Sequence, residues 1–97
     1  MQLRTARVLA AEKVEKADKL LLLQVDLGTE KRQIVAGIAQ NYRPEEIVGK
    51  TVIVVTNLKP AKIRGVESNG MLLAASSGSQ LRVLVADGDL PPGSTVK

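Results

Sequence analysis

Polar and glycine-rich punctuation divides the chain into short apolar runs. Leu3 to Ala11 is a mixed run that carries Val8 and Leu9, and Leu20 to Leu27 is strongly apolar and stops at Gly28. Gln33 to Ala39 is the third run, and Thr51 to Thr56 is almost purely β-branched. Met71 to Ala75 follows a glycine, and Leu81 to Ala86 alternates polar and apolar at its start. Each run is 5–9 residues long, too short for most amphipathic helices and typical of strands. Branching at Cβ suits a pleated surface, so Thr51–Thr56 is the strongest strand candidate. The leucines at 20–23 fit either period; run length and the Gly28 stop favour a strand.

One short helix is predicted over Arg43–Val48. Pro44 fits a first turn, Glu45 and Glu46 suit the positive end of the helix dipole, and Gly49 fits the stop. Gly28-Thr29-Glu30 reads as a hairpin turn and Ser76-Ser77-Gly78-Ser79 as a polar loop. Asp87-Gly88 and Pro91-Pro92-Gly93 mark a closing segment with no room for a helix. Gly37, inside an apolar run, suggests a bulge or tight packing. The order is three strands, a short helix, then two or three more strands. We read the chain as all-β: a five-stranded OB-fold barrel with its helix between the third and fourth strands and a small C-terminal extension. An unrelated small barrel or sandwich is the alternative that pattern alone leaves open.

Length makes this one domain spanning residues 1–97, since a chain of this size builds one core. There is no cysteine and no histidine. That excludes disulfides, thiolate metal sites, a Cys nucleophile and the usual neutral-pH base. A catalyst would need a lysine or a carboxylate pair, and Lys13/Glu15 and Glu45/Glu46 read better as solvated residues. We therefore expect no catalysis, no metal and no cofactor. No apolar run approaches the roughly 20 residues that cross a bilayer, so the expectation is a soluble, cytoplasmic domain without a membrane partner.

The formal net charge is +4, and Tyr42 is the only aromatic residue. A basic balance suggests an anionic partner. Single-strand binders stack bases on several rings, so any nucleic acid here must be held by charge and shape. The first inter-strand loop, Glu12–Lys19, has three lysines against three acids and is nearly neutral. The loop from Asn57 to Gly70 carries Lys59, Lys62 and Arg64 against Glu67 alone. OB-folds bind oligonucleotides with these two loops and the sheet between them. Lys31-Arg32, at the start of the third strand, can join that face. Lys13, Lys16, Lys50 and Lys97 read as ordinary solvated lysines. Gly65 and Gly70 bracket a turn, with Ser68 and Asn69 as possible donors to phosphate or ribose.

At this point a resemblance is visible. Ala17-Asp18-Lys19-Leu20, Ile34-Val35-Ala36-Gly37-Ile38-Ala39, Tyr42-x-Pro44-Glu45-Glu46, Gly49-Lys50, Asn57-Leu58-Lys59-Pro60, Lys62-Ile63-x-Gly65 and Ser68-x-Gly70-Met71 occur in order. The string resembles the tRNA-binding domain appended to bacterial methionyl-tRNA synthetases, found also as a free-standing dimeric tRNA-binding protein and in the endothelial monocyte-activating polypeptide family. It covers almost the whole chain. The resemblance implies a homodimeric OB-fold that binds tRNA by structure rather than sequence, at the outer corner of the L-shaped molecule. It implies contacts from Asn57, Lys59, Lys62, Arg64, Ser68 and Met71, with Arg32 beside them. Only the Ser68-x-Gly70-Met71 match moves Met71 toward the ligand; by composition it is a core residue at a strand start. Many members have His-Pro where this chain has Glu15-Lys16, so the role of the first loop stays open. One branch of the family is chaperone-like and binds peptides, which gives the competing function: a dimeric module with an apolar groove.

Overall fold

The computed structural model describes residues 2–97. The main sheet has six antiparallel strands, β10 (Thr95–Val96) beside the start of β1 and five in one path: β1 (Leu3–Lys13), β2 (Leu21–Asp26), β3 (Lys31–Ala36), β4 (Thr51–Val55) and, beyond two further strands, β7 (Met71–Leu72). Their order is β3-β2-β1-β4-β7. The leucine run is a strand: Leu21, Leu23 and Val25 point inward and are fully buried, while Leu22, Gln24 and Asp26 alternate outward. Val52 and Val54 of β4 do the same from across the barrel. With Ala6, Val8, Ile34 and Ile47 they make the core. The sheet curls because β1 is long and carries a bulge between Val8 and Ala10, the usual device for bending a strand.

The helix α1 (Pro44–Ile47) lies between β3 and β4. The Glu46 carboxylate accepts the Arg43 backbone N–H at 2.8 Å, fixing its first turn. Ile47 is fully buried and plugs the core. Two hydrogen bonds then tie the helix exit to the β1 bulge: Gly49 N–H to the Val8 carbonyl at 2.8 Å and Val8 N–H to the Lys50 carbonyl at 3.0 Å.

Between β4 and β7 the chain forms a hairpin, β5 (Ala61–Ile63) with β6 (Val66–Ser68). The next hairpin pairs β8 (Ala74–Ser77) with β9 (Gln80–Val83), and β10 (Thr95–Val96) returns to pair with the start of β1. The barrel nearly closes where β6 meets β3. There Asn69 N–H donates to the Gln33 carbonyl and the Gln33 side chain donates to the Glu67 carbonyl, both at 2.8 Å. Among the described residues no helix is long and apolar enough to cross a membrane.

Several boundaries differ from the sequence reading. The run expected to continue to Ala39 leaves the sheet after Ala36, and Gly37 is an exposed bend with nothing near its missing Cβ. Met71–Ala75 splits into β7 and β8, and Leu81–Ala86 shortens to Val83 with one isolated bridge at Val85. The expected loop 57–70 contains the β5–β6 hairpin, and the closing segment contains β10. β1 runs to Lys13, so the first loop begins at Val14 and not at Glu12.

Candidate nucleic-acid interface

The β5–β6 hairpin is built by its turn. Ile63 pairs with Val66, leaving Arg64 and Gly65 as the two central residues. Both have positive φ, 54° and 79°, as a primed two-residue turn requires. Glycine accepts this at no cost. A non-glycine residue in the left-handed region pays roughly 1–2 kcal/mol. One other non-glycine residue among the described residues has positive φ: Lys16, at 63°, in the first loop.

The fold brings these two together. Lys16, Lys19 and Asp18 from the first loop and Ile63 and Arg64 from the hairpin tip line one cleft of about 380 Å³. Its charged lining is three cations against one carboxylate. Lys59 and Lys62 are exposed along the hairpin arm that leads to it. The only ion pair among the described residues is that of Arg32 with Glu30. Lys16, Lys19, Lys59, Lys62 and Arg64 are therefore free of ion pairs and exposed, with Asp18 beside the first two and Glu67 across the hairpin from Lys62 as the nearby acids.

The residues expected as ligand contacts fall in three places. Lys62 and Arg64 share the hairpin, and Lys59 lies on the segment that leads into it. Arg32 and Asn57 sit at its far base and are already engaged. The Arg32 side chain is 16% exposed. Its Nε pairs with Glu30, and its Nη1 donates to the Thr56 carbonyl at 2.6 Å. The Asn57 side-chain oxygen accepts the Gln2 N–H at 2.7 Å, and the residue is exposed. Ser68 stands apart from both. It is 4% exposed, its hydroxyl accepts the Val35 N–H at 2.9 Å and donates to the Gly70 carbonyl at 3.2 Å. Its expected role as a ligand donor gives way to a structural one, because the hydroxyl substitutes for a missing rung between β6 and β3.

Met71 is 55% exposed, contrary to the core position that composition suggests. It borders a shallow apolar groove of about 310 Å³ with Val35, Ile38, Leu72 and Leu81. Tyr42 is half-buried, and its hydroxyl accepts the Val83 N–H at 2.9 Å. The one aromatic ring is thus spent on joining β9 to the barrel. Lys16 and Lys19 are the candidates that sequence reasoning passed over. Their loop is neutral as a string of residues and stays so once Glu12 and Lys13 are counted with β1; Glu15, however, does not line the cleft, so Lys16 and Lys19 meet only Asp18 there.

Residues 3–95 match the family described as Putative tRNA binding domain. The chain is 65% identical over 96 residues to a methionine–tRNA ligase of Thermotoga maritima, which covers 99% of this chain and 15% of that protein. It is 55% identical over 97 residues to the methionine–tRNA ligase of Bacillus subtilis, covering 100% of this chain and again 15% of the relative. The chain thus spans about 15% of the length of these relatives. Among solved structures, the methionyl-tRNA-synthetase-related protein of Pyrococcus horikoshii superposes with a TM-score of 0.93 at 42% identity, covering 99% of this chain and 89% of that one. The chaperone CsaA of Bacillus anthracis superposes at 0.90 with 26% identity, covering 99% and 90%. With a barrel of five strands, a basic hairpin and these likenesses over its whole length, the chain belongs to the tRNA-binding domain family.

Proposed function

We propose that the chain binds folded tRNA, by structure and not by sequence, at the outer corner of the L-shaped molecule. In this reading it is a non-catalytic, dimeric, cytoplasmic domain, appended to a methionyl-tRNA synthetase or free-standing. A second attachment point raises the effective concentration of tRNA at a catalytic body. The observation that carries the reading is the run of unpaired cations along the hairpin and into the first loop. Phosphates of a folded RNA offer them partners, while the absence of a free aromatic ring disfavours stacked single strands. Of the expected contacts, Lys59, Lys62 and Arg64 carry the charge, Asn57 offers amide donors, and Arg32 and Met71 lie at the edges. The experiment is binding of bulk folded tRNA and an equal-length unstructured RNA at two salt concentrations. Preference for folded tRNA with steep salt dependence is expected. Lys59→Ala with Lys62→Ala should flatten the slope by about one unit for each phosphate no longer neutralised. Equal binding to both RNAs refutes structural recognition. Light scattering tests the dimer against the 10.3 kDa of one chain.

A second reading rests on the apolar groove beside Met71. A dimeric chaperone-like module would seat unfolded peptides there. Peptide binding that ignores salt, with no affinity for tRNA at low salt, would put this reading first.

A further inference from the structure

The cleft between the first loop and the hairpin tip has two properties that general solvation does not explain. Lys16 and Arg64 are far apart in sequence, yet both line it. They are also the non-glycine residues with positive φ among the described residues. Neither backbone position needs a cation. A primed turn accepts Asn, Asp or Gly at the place of Arg64 with less strain, and Asn tolerates the left-handed region at the place of Lys16. The chain carries long cationic side chains at the two positions where they are least suited to the backbone. Strain of this kind gathers where a ligand is gripped.

We infer that this cleft is a cradle for one backbone phosphodiester of RNA, with Arg64 and Lys16 closing on it from opposite walls. The inference rests on the tRNA reading and gives the first loop a role within it. Arg64 supplies a planar fork of donors that matches two phosphate oxygens, and Lys16 supplies a point charge. Lys19 adds positive charge at the same cleft, and the single carboxylate, Asp18, leaves the lining attractive to an anion. Neither residue has an ion-pair partner within the chain among the described residues, so no internal pair must break when phosphate enters.

The test is the double variant Lys16→Asn/Arg64→Asn, measured beside the unaltered chain and Lys59→Ala/Lys62→Ala. Relief of strain should raise Tm by about 4–8 °C. Affinity for folded tRNA should fall, and the drop in affinity between 50 and 200 mM salt should shrink by about 3.5-fold, the share of one phosphate. Arg64→Lys with Lys16→Arg should keep the slope. If the asparagine variant keeps full affinity and slope while Lys59→Ala/Lys62→Ala weakens binding, the cradle is refuted and the tRNA reading stands. A loss of affinity with a lowered Tm also overturns it, since a merely structural role gives that result. If the unaltered chain does not bind folded tRNA, the tRNA reading fails and the cradle fails with it.

Discussion

Replacing Thr5 by Val tests how the C-terminal segment is held to the barrel. Thr5 is 2% exposed. Its hydroxyl donates to the Pro91 carbonyl at 3.0 Å and accepts the Ser94 N–H at 2.9 Å. Its backbone makes two more bonds to the same segment: N–H to the Ser94 carbonyl at 2.9 Å, and carbonyl from the Gly93 N–H at 2.7 Å. Valine keeps the shape and the backbone bonds but puts a methyl where the hydroxyl was. Burying that methyl gains about 0.8 kcal/mol. Against it, the Ser94 N–H loses its partner, which costs about 1–3 kcal/mol. The Pro91 carbonyl keeps the Ser94 hydroxyl at 2.6 Å, so only one group is orphaned. The loss wins by about 0.2–2 kcal/mol, near 1 at the middle of the range. With no tryptophan and one tyrosine, urea unfolding is best followed by far-ultraviolet circular dichroism. At an m-value near 1 kcal/mol/M the midpoint should fall by about 1 M, and by about 2 M at most. An unchanged or higher midpoint at the same m-value would mean that water reaches Ser94 and that the seam does not depend on this hydroxyl.

Three further perturbations probe other joints. Gly93→Ala puts a Cβ inside the van der Waals surface of the Leu27 carbonyl oxygen, at a φ of 86°. Backbone flanks the site and no rotamer relieves it, so a loss of about 2–4 kcal/mol is expected, a Tm drop of at least about 10 °C; a drop under a few degrees refutes the close approach. Ser68→Ala removes the acceptor for the Val35 N–H and should cost about 1–3 kcal/mol. The tRNA affinity and salt slope of the folded variant should not move; a changed slope would return Ser68 to the interface. Tyr42→Phe orphans the N–H of Val83, itself buried, and should cost about 1–2 kcal/mol. Hydrogen exchange at the Val83 amide should quicken, and unchanged protection there would show that the hydroxyl does not hold β9.

The barrel was legible because its strands carry their own signal. Leu21, Leu23 and Val25 alternate inward, and Thr51–Val55 is β-branched throughout. The short helix was legible for the same reason: Pro44, the two acids and Gly49 mark its start and stop within a few residues. The hairpin in 57–70 was not, because Ala61–Ile63 is exposed along its length and has no buried face to produce a period. Its one local mark was Arg64-Gly65, a pair that becomes a turn signal only once positive φ at an arginine is admitted. β10 was equally silent. Two residues cannot show a period, and its pairing with Leu3 and Arg4 depends on the Thr5 seam.

The candidate interface was legible on one loop and not on the other. Lys59, Lys62 and Arg64 stand out because their loop has one acid against three cations. Lys16 and Lys19 vanish into a loop whose count is neutral. Counting charge along a segment assumes that the whole segment faces one way, and the first loop does not. Extension of β1 to Lys13 takes one acid and one lysine into the sheet and leaves the balance unchanged; the asymmetry comes from the tip, where Lys16 and Lys19 line the cleft with Arg64 and Glu15 does not. Ser68 fails in the opposite sense. A hydroxyl beside two glycines looks like a ligand donor, yet the gap between β6 and β3 consumes it. Tyr42 completes the pattern, because its ring and hydroxyl are taken up in fastening β9 to the barrel. What the fold leaves unspent is cationic charge on two loops that meet. That is why recognition through phosphates, and not through bases, is the reading these residues favour.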